Sequence, residues 1–229
     1  MKIIVIGLGN FGSAVATKLA LLGHEVIGVD SIEQRVENIK DKITFAITVD
    51  CTDDAVLRTL PLNETDIVLV AIGEDLGASV LITALLKKHN VKRIVSRAIS
   101  PIHKTILEAI GVLEILNPEE DSAKRFVTKI NLRNVIDSLN ISEEYAVMEV
   151  LIPQKYVGIK VSEADLRKKY NINILTIKQD IQKHILSKNI YETKIIGVIS
   201  PDYIFQANDI LIVFGHVADI KKWLDKSSI

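Results

Sequence analysis

Residues 2–30 read KIIVIGLGNFGSAVATKLALLGHEVIGVD, and this stretch decides how the rest of the chain is read. Ile3 to Ile6 is a short, uncharged, β-branched run, the pattern of a parallel strand buried on both faces. The turn Gly7-Leu8-Gly9-Asn10-Phe11-Gly12 follows at once and fits G-x-G-x-x-G. In that pattern the first glycine permits a tight turn, the second lets the backbone approach a diphosphate, and the third lets a helix pack close to the strand. The helix begins near Asn10, so its free amides and the positive end of its dipole face the phosphates. Phe11, Val15, Leu19 and Leu22 recur at helical spacing, and Gly23-His24 ends the helix before a second strand over 25–29. Asp30 closes that strand about twenty residues past the glycines, where a carboxylate accepts the hydroxyls of an adenosine ribose. Strand, glycine turn, helix and acid together predict a dinucleotide or adenine-nucleotide site; the glycine pattern alone would mark only a structural turn. An aspartate here repels a 2′-phosphate, which disfavours NADP.

The alternation continues beyond Asp30. Ser31 is positioned to cap a polar helix to about Lys40, followed by a strand over 44–49 and the loop Asp50-Cys51-Thr52-Asp53-Asp54. Ligands of open parallel sheets gather at this edge, so Asp50, with Cys51 and Thr52 beside it, either reaches the base or ribose or serves only the loop. Asp53 reads as the cap of a helix over 54–60. A strand over 66–72 leads through Ala71, Ile72 and Gly73 into a strongly apolar helix over 76–89, which predicts cover on most of its sides. A strand over 92–97, a helix over 101–110 ended by Gly111, and a strand over 112–116 complete the unit. The fold class is α/β, a Rossmann-like doubly wound parallel sheet with every ligand-side loop on one edge. Asn117 opens a helical stretch to about Leu139, whose Phe126, Val127, Ile130, Val135, Ile136 and Leu139 call for a packing partner. From Tyr145 the pattern becomes strands over 145–152, 172–178, 195–199 and 209–214 with short helices over 162–170 and 217–224, a second, smaller α+β domain. A boundary near Asn140 gives domains 1–140 and 141–229.

Composition narrows the function. Hydrophobic residues make up 48% of the 229, enough for two cored domains. A formal charge of −1, with short and separated basic clusters, gives no electrostatic reason to bind nucleic acid or an anionic membrane. Cys51 is the single cysteine, so neither an internal disulfide nor a cysteine-built zinc site can form. Without a secretory segment or an apolar run of ~20 residues, a soluble cytoplasmic chain is expected, with no direct membrane insertion. A rival reading, an NAD-dependent oxidoreductase, needs a proton donor facing the nicotinamide. His24 and His89 fall at helix ends, His103 early in a surface helix, and His184 and His216 in the second domain, so no catalytic residue is assigned. Cys51 lies beside the ligand edge, without an adjacent base or helix start to activate it.

The segments VIGLGNFGSAVA and GHEVIGVD, the loop VAIGEDLGAS, IGVLEILNPEED, then EEYAVMEVLIP and NDILIVFGH, resemble the RCK proteins, cytosolic regulators of potassium conductance. Over its whole length the chain resembles the Ktr/Trk-type potassium-uptake regulatory subunits, the Ktr type above all. The resemblance implies a nucleotide sensor, not an enzyme. Homodimers would assemble into an octameric ring docked under an integral membrane potassium-translocating subunit, peripheral to the inner face of the plasma membrane. It implies ATP or ADP as ligand in Ktr-type rings and NAD or NADH in Trk-type ones. Gly7, Gly9 and Gly12 would form the phosphate turn, Asp30 the ribose acid, Ala71, Ile72 and Gly73 the strand-four loop, and Arg97 the basic residue after strand five. Glu119 would help hold a divalent or monovalent cation at the dimer seam; read alone, Glu119, Glu120 and Asp121 only favour a helix start. Ktr-type sequences usually carry an arginine where this chain has Asn10, so a charge-assisted phosphate contact of about 1.5–3 kcal/mol is missing. The resemblance also implies cyclic di-AMP in the C-terminal domain near residues 167–177, with Arg167 as phosphate partner, although Ile172, Ile174 and Ile177 equally suit a half-buried strand. A nucleotide sensor serving a cation antiporter is the remaining alternative.

Overall fold

The computed structural model describes residues 1–185 and 188–227, with side chains outside 180–192. The chain forms two compact units, Met1–Glu119 and Glu120–Ile229. In the first, strands and helices alternate: β1 (Lys2–Ile6), α1 (Asn10–Leu21), β2 (Glu25–Asp30), α2 (Glu33–Glu37), β3 (Phe45–Thr48), α3 (Asp54–Leu57), β4 (Ile67–Val70), α4 (Leu76–Lys88), β5 (Ile94–Arg97), α5 (Pro101–Ile110) and β6 (Glu114–Leu116). The strand order is β3-β2-β1-β4-β5-β6, every pairing parallel. The order reverses beside β1, which opens a crevice at the carboxyl ends of β1 and β4.

β1 shows why the sheet forms. Ile4 and Ile6 pack into one cluster with Leu57, Val68, Leu86 and Leu107, while Ile3 and Val5 pack into another with Ala16, Val36 and Leu69. Both faces are thus covered, and an uninterrupted apolar run is the sequence that such a strand requires. Local signals set several helix ends. Asp53 accepts the Ala55 amide at 2.8 Å and Asp75 the Ala78 amide at 2.9 Å, while Ser100 caps α5 and Gly111 closes it in the left-handed region at φ 90°.

Two expectations in this unit are corrected. Ser31 does not cap α2: Asp30 Oδ1 takes the Ile32 amide at 2.9 Å, and the helix is shorter than the sequence predicts. Helix α4 buries only the stripe Ser79, Ile82, Thr83 and Leu86, leaving Leu81 exposed.

Helix α6 (Pro118–Asn131) leads into the second unit, which contains β7 (Val135–Asn140), β8 (Tyr145–Leu151), α7 (Val161–Ala164), α8 (Leu166–Tyr170), β9 (Asn173–Ile185), β10 (Lys188–Ile195), β11 (Asp209–His216) and α9 (Val217–Asp225). Its sheet is antiparallel, in the order β10-β9-β11-β8-β7. Met148, Val150, Ile177, Leu211, Val213 and Trp223 form its core. The helix expected to reach Leu139 stops at Asn131; Asn134 adopts φ 65°, and Val135 to Asn140 pair with β8 as an edge strand. The dividing point therefore falls at Glu119/Glu120 and not near Asn140. The helix over 162–170 is broken at Asp165, which sits at φ 47°, and of the strand expected at 195–199 only Ile195 is strand, as the last residue of β10, which pairs with β9 from Lys188; residues 196–199 lie outside any strand. No described helix is long and apolar enough to cross a membrane.

Candidate functional site

The glycine turn is built as its spacing demands. Gly7 lies at φ 95°, where a side chain is strained, and its amide donates to the Val29 carbonyl at 2.8 Å, tying the end of β1 to β2. A methyl on Gly12 would land on the Gly7 carbonyl oxygen, so only glycine lets α1 approach the strand end. Gly9 caps α1 and has open space where a Cβ would stand, the room a phosphate would use.

Beyond this turn lies a cleft of about 450 Å³, in the range of small-molecule sites. Gly7, Gly9, Asn10, Phe11, Asp30, Asp50, Cys51, Thr52, Ala71, Ile72, Gly73, Arg97 and Glu119 all line it, so residues at the carboxyl ends of all six strands converge as the parallel topology requires. Leu8 and Gly12 do not. Leu8 is 2% exposed and turns into the core, and Gly12 is buried behind the turn; both support the wall without forming it.

Asp30 is only 6% exposed, and its carboxylate is already engaged. Oδ2 accepts the Leu8 amide at 2.7 Å and Oδ1 the Ile32 amide at 2.9 Å, while Arg35 Nη1 stands 3.6 Å from Oδ2. Two carboxylate oxygens offer about four lone-pair directions, so acceptor capacity remains for a ribose. Asp50 folds over its own loop and accepts both the amide and hydroxyl of Thr52, at 2.9 and 2.7 Å, which hold its carboxyl below the usual range. Cys51 is 3% exposed; burial first, then the charges of Asp50 and Asp30, push its thiol up to about 12. It therefore stays protonated and is no nucleophile.

On the opposite wall the Arg97 guanidinium lies 5.4 Å from the Phe11 ring centroid and pairs with Glu119. It packs so closely on Gly73 that a Cβ there would stand 2.6 Å from Nη1. Its Nε is buried without a hydrogen-bond partner among the described residues. Glu119 is accordingly held by an internal cation, and no group of three or more His, Cys, Asp or Glu among the described residues can hold a metal ion.

Sequence reasoning missed Arg35 and Glu74, which line the cleft and hydrogen-bond to each other at 2.7 Å. The only signal was a basic residue on the helix following the ribose acid. Among the histidines, His103 is a correction: it is fully buried, its Nδ1 accepts the Ile99 amide at 3.3 Å, and burial lowers its pKa. His89 pairs with Asp54 and His216 caps α9 through Nδ1; the His184 side chain lies outside the described residues.

Two family models match the chain, the TrkA-N domain over residues 3–118 and the TrkA-C domain over 147–226. The Ktr system potassium uptake protein C of Bacillus subtilis is 37% identical over 219 residues, covering 96% of this chain and 94% of that protein. Among solved structures, the GsuK RCK domain superposes with a TM-score of 0.66 at 12% identity, over 97% of this chain and 47% of that one, a likeness of fold. The NAD(P)-binding domain of an exopolyphosphatase-related protein from Archaeoglobus fulgidus matches at 26% identity with a TM-score of 0.50, over 56% of this chain and 96% of that one.

Proposed function

The chain belongs to the family of potassium-uptake proteins built from a TrkA-N and a TrkA-C domain, and on that premise we propose that it is a regulatory subunit, not an enzyme, whose N-terminal cleft senses an adenine nucleotide. The observation that carries this reading is the conjunction of similarity along almost the whole length of a Ktr potassium uptake protein with a preformed cleft bounded by Gly9 and Asp30. The ligand is ATP or ADP, or NAD or NADH; the described NAD(P)-binding relative supports the class. Amides at the start of α1 receive the phosphates and the remaining acceptor capacity of Asp30 takes the ribose. Arg97, with its unpartnered Nε, exchanges part of its contact with Glu119 for a terminal phosphate. Glu119, released in this way, joins the phosphates in holding a divalent or monovalent cation where two copies meet.

Exposed Ile102, Leu113, Phe126, Val127 and Ile130 support pairing of copies and a higher ring, since apolar groups of this number call for cover. The partner is an integral membrane potassium-translocating subunit, which keeps the protein at the inner face of the membrane, and cyclic di-AMP is a second effector at residues 167–177. A ligand moves such an assembly only by binding its two states differently, and a coupling of about 1–3 kcal/mol is sufficient. The test is thermal unfolding and direct titration with ATP, ADP, NAD and NADH. A ligand present at one hundred times its Kd stabilises by about 2.7 kcal/mol. A panel without any shift overturns the sensor reading, and identical dimer angles with ATP and ADP overturn the switch.

A further inference from the structure

Two charged side chains at the ribose end of the cleft take no part in that mechanism. Arg35, on α2, hydrogen-bonds through Nη2 to Glu74 Oε2 at 2.7 Å, from the loop after β4, and its Nη1 lies 3.6 Å from Asp30 Oδ2. Arg35 and Glu74 line the nucleotide cleft and also an adjoining polar recess of about 380 Å³, whose wall includes Ser13, Thr17, Asn38 and Lys42. The ion pair therefore stands on the border between the two spaces, against the acid assigned to the ribose.

Charge decides what this border admits. A ribose hydroxyl needs only an acceptor, and Asp30 provides one. A 2′-phosphate brings about two negative charges and needs a free cation. Arg35 is the cation within reach of a group attached to a hydroxyl on Asp30, and its planar fork suits a phosphate. Its donors, however, face two carboxylates, so Asp30, Arg35 and Glu74 together carry a net negative charge.

We infer that Glu74 is the residue that sets specificity for the ribose substituent: by engaging Arg35 it excludes adenosine ligands bearing a 2′-phosphate, and without it Arg35 and Lys42 form a site for that phosphate. The inference deepens the nucleotide reading and rests on it. Asp30 alone would suffice for exclusion if Arg35 were absent; with Arg35 this close, a second acid is required to hold the cation. Glu74 is suited to that task because its side chain is 79% exposed and serves no other partner among the hydrogen bonds described.

Isothermal titration of the full-length protein with two matched pairs, NAD⁺ against NADP⁺ and AMP against adenosine 2′,5′-bisphosphate, tests this through the ratio of affinities within each pair. The wild type favours the member without the 2′-phosphate by about tenfold or more, the effect of roughly one unfavourable charge contact. Glu74→Gln narrows that ratio by about tenfold, and adding Arg35→Gln restores it. Glu74→Ala gives the same narrowing and guards against an effect of the amide. A ratio that is the same in wild type and Glu74→Gln overturns the inference while leaving the nucleotide reading intact, as does a double variant that behaves like Glu74→Gln. A wild type that binds no member of either pair overturns this inference, and the nucleotide reading itself is removed only if ATP, ADP and NADH fail to bind as well.

Discussion

Asp30→Asn keeps the shape of the ribose acid and removes one acceptor, and the consequence can be worked out for the protein without ligand. In the wild type Oδ2 accepts the buried Leu8 amide at 2.7 Å and Oδ1 the partly buried Ile32 amide at 2.9 Å. A carboxamide has one oxygen and one NH₂, so whichever way it turns, one backbone N–H meets another donor. The better orientation keeps the oxygen on Leu8, where no water can substitute, and gives up Ile32. Hydrogen bonds to an ionised acceptor contribute about 1.5–3 kcal/mol each, and the variant loses one outright and weakens the other. The ligand-free full chain therefore unfolds about 1.5–3 kcal/mol less stable, or roughly 3–12 °C lower in Tm. Differential scanning calorimetry without nucleotide measures this, and titration measures the accompanying loss of affinity. A ligand-free Tm within about 1 °C of wild type, together with lost nucleotide affinity, refutes the reasoning, because the acid would then be a ligand group that does not hold the turn.

Three further outcomes follow from the same geometry. Gly12→Ala drives a methyl onto the Gly7 carbonyl and to 3.1 Å from the Ala71 Cβ, so the urea midpoint falls by the equivalent of about 1–3 kcal/mol or more and nucleotide binding is lost; an unchanged midpoint with intact binding contradicts this. Gly73→Ala meets only the flexible end of Arg97, so stability changes by less than about 1 kcal/mol while the guanidinium is pushed off Phe11 and affinity for ATP or NAD drops, a separation of effects that titration and calorimetry can read together. Hydrogen bonds from His89 first and Lys88 second hold Asp54 at about 2, below its ordinary 3.8, so the stability it adds is present above about pH 4 and disappears as the pH falls through 2. Asp54→Asn flattens that acid limb of a stability–pH curve, and an unaltered limb shows that the ion pair is idle.

The first thirty residues were legible because everything in them is local. The run Ile3 to Ile6, the glycine spacing, the helix after Gly9 and the acid at Asp30 follow from strand and helix periods and from the steric needs of one turn. The same holds for the Asp53 cap and the left-handed close at Gly111. Where the reading failed, the deciding contact was distant or the local pattern was ambiguous. Val135, Ile136 and Leu139 suit a helix continuing from α6 as well as a strand, and pairing with β8 selects the strand. Residues 179–185 and 188–194 carry too many polar groups to announce strands, yet they pair with each other in β9 and β10.

Sequence alone thus determined the fold class and the position of the glycine turn and Asp30 at one sheet edge, which depend on periodicity and short spacing, and the family resemblance, which rests on motifs in both domains. Tertiary structure decided which side chains form the wall. Leu8 and Gly12 belong to the motif but face inward, while Arg35 and Glu74, 39 residues apart, and Arg97 and Glu119, 22 apart, become neighbours only when the sheet assembles in the order β2-β1-β4-β5-β6. The physical reason is that a repeat pattern reports which residues share a face of one element, whereas contacts between loops are set by the order in which the strands assemble.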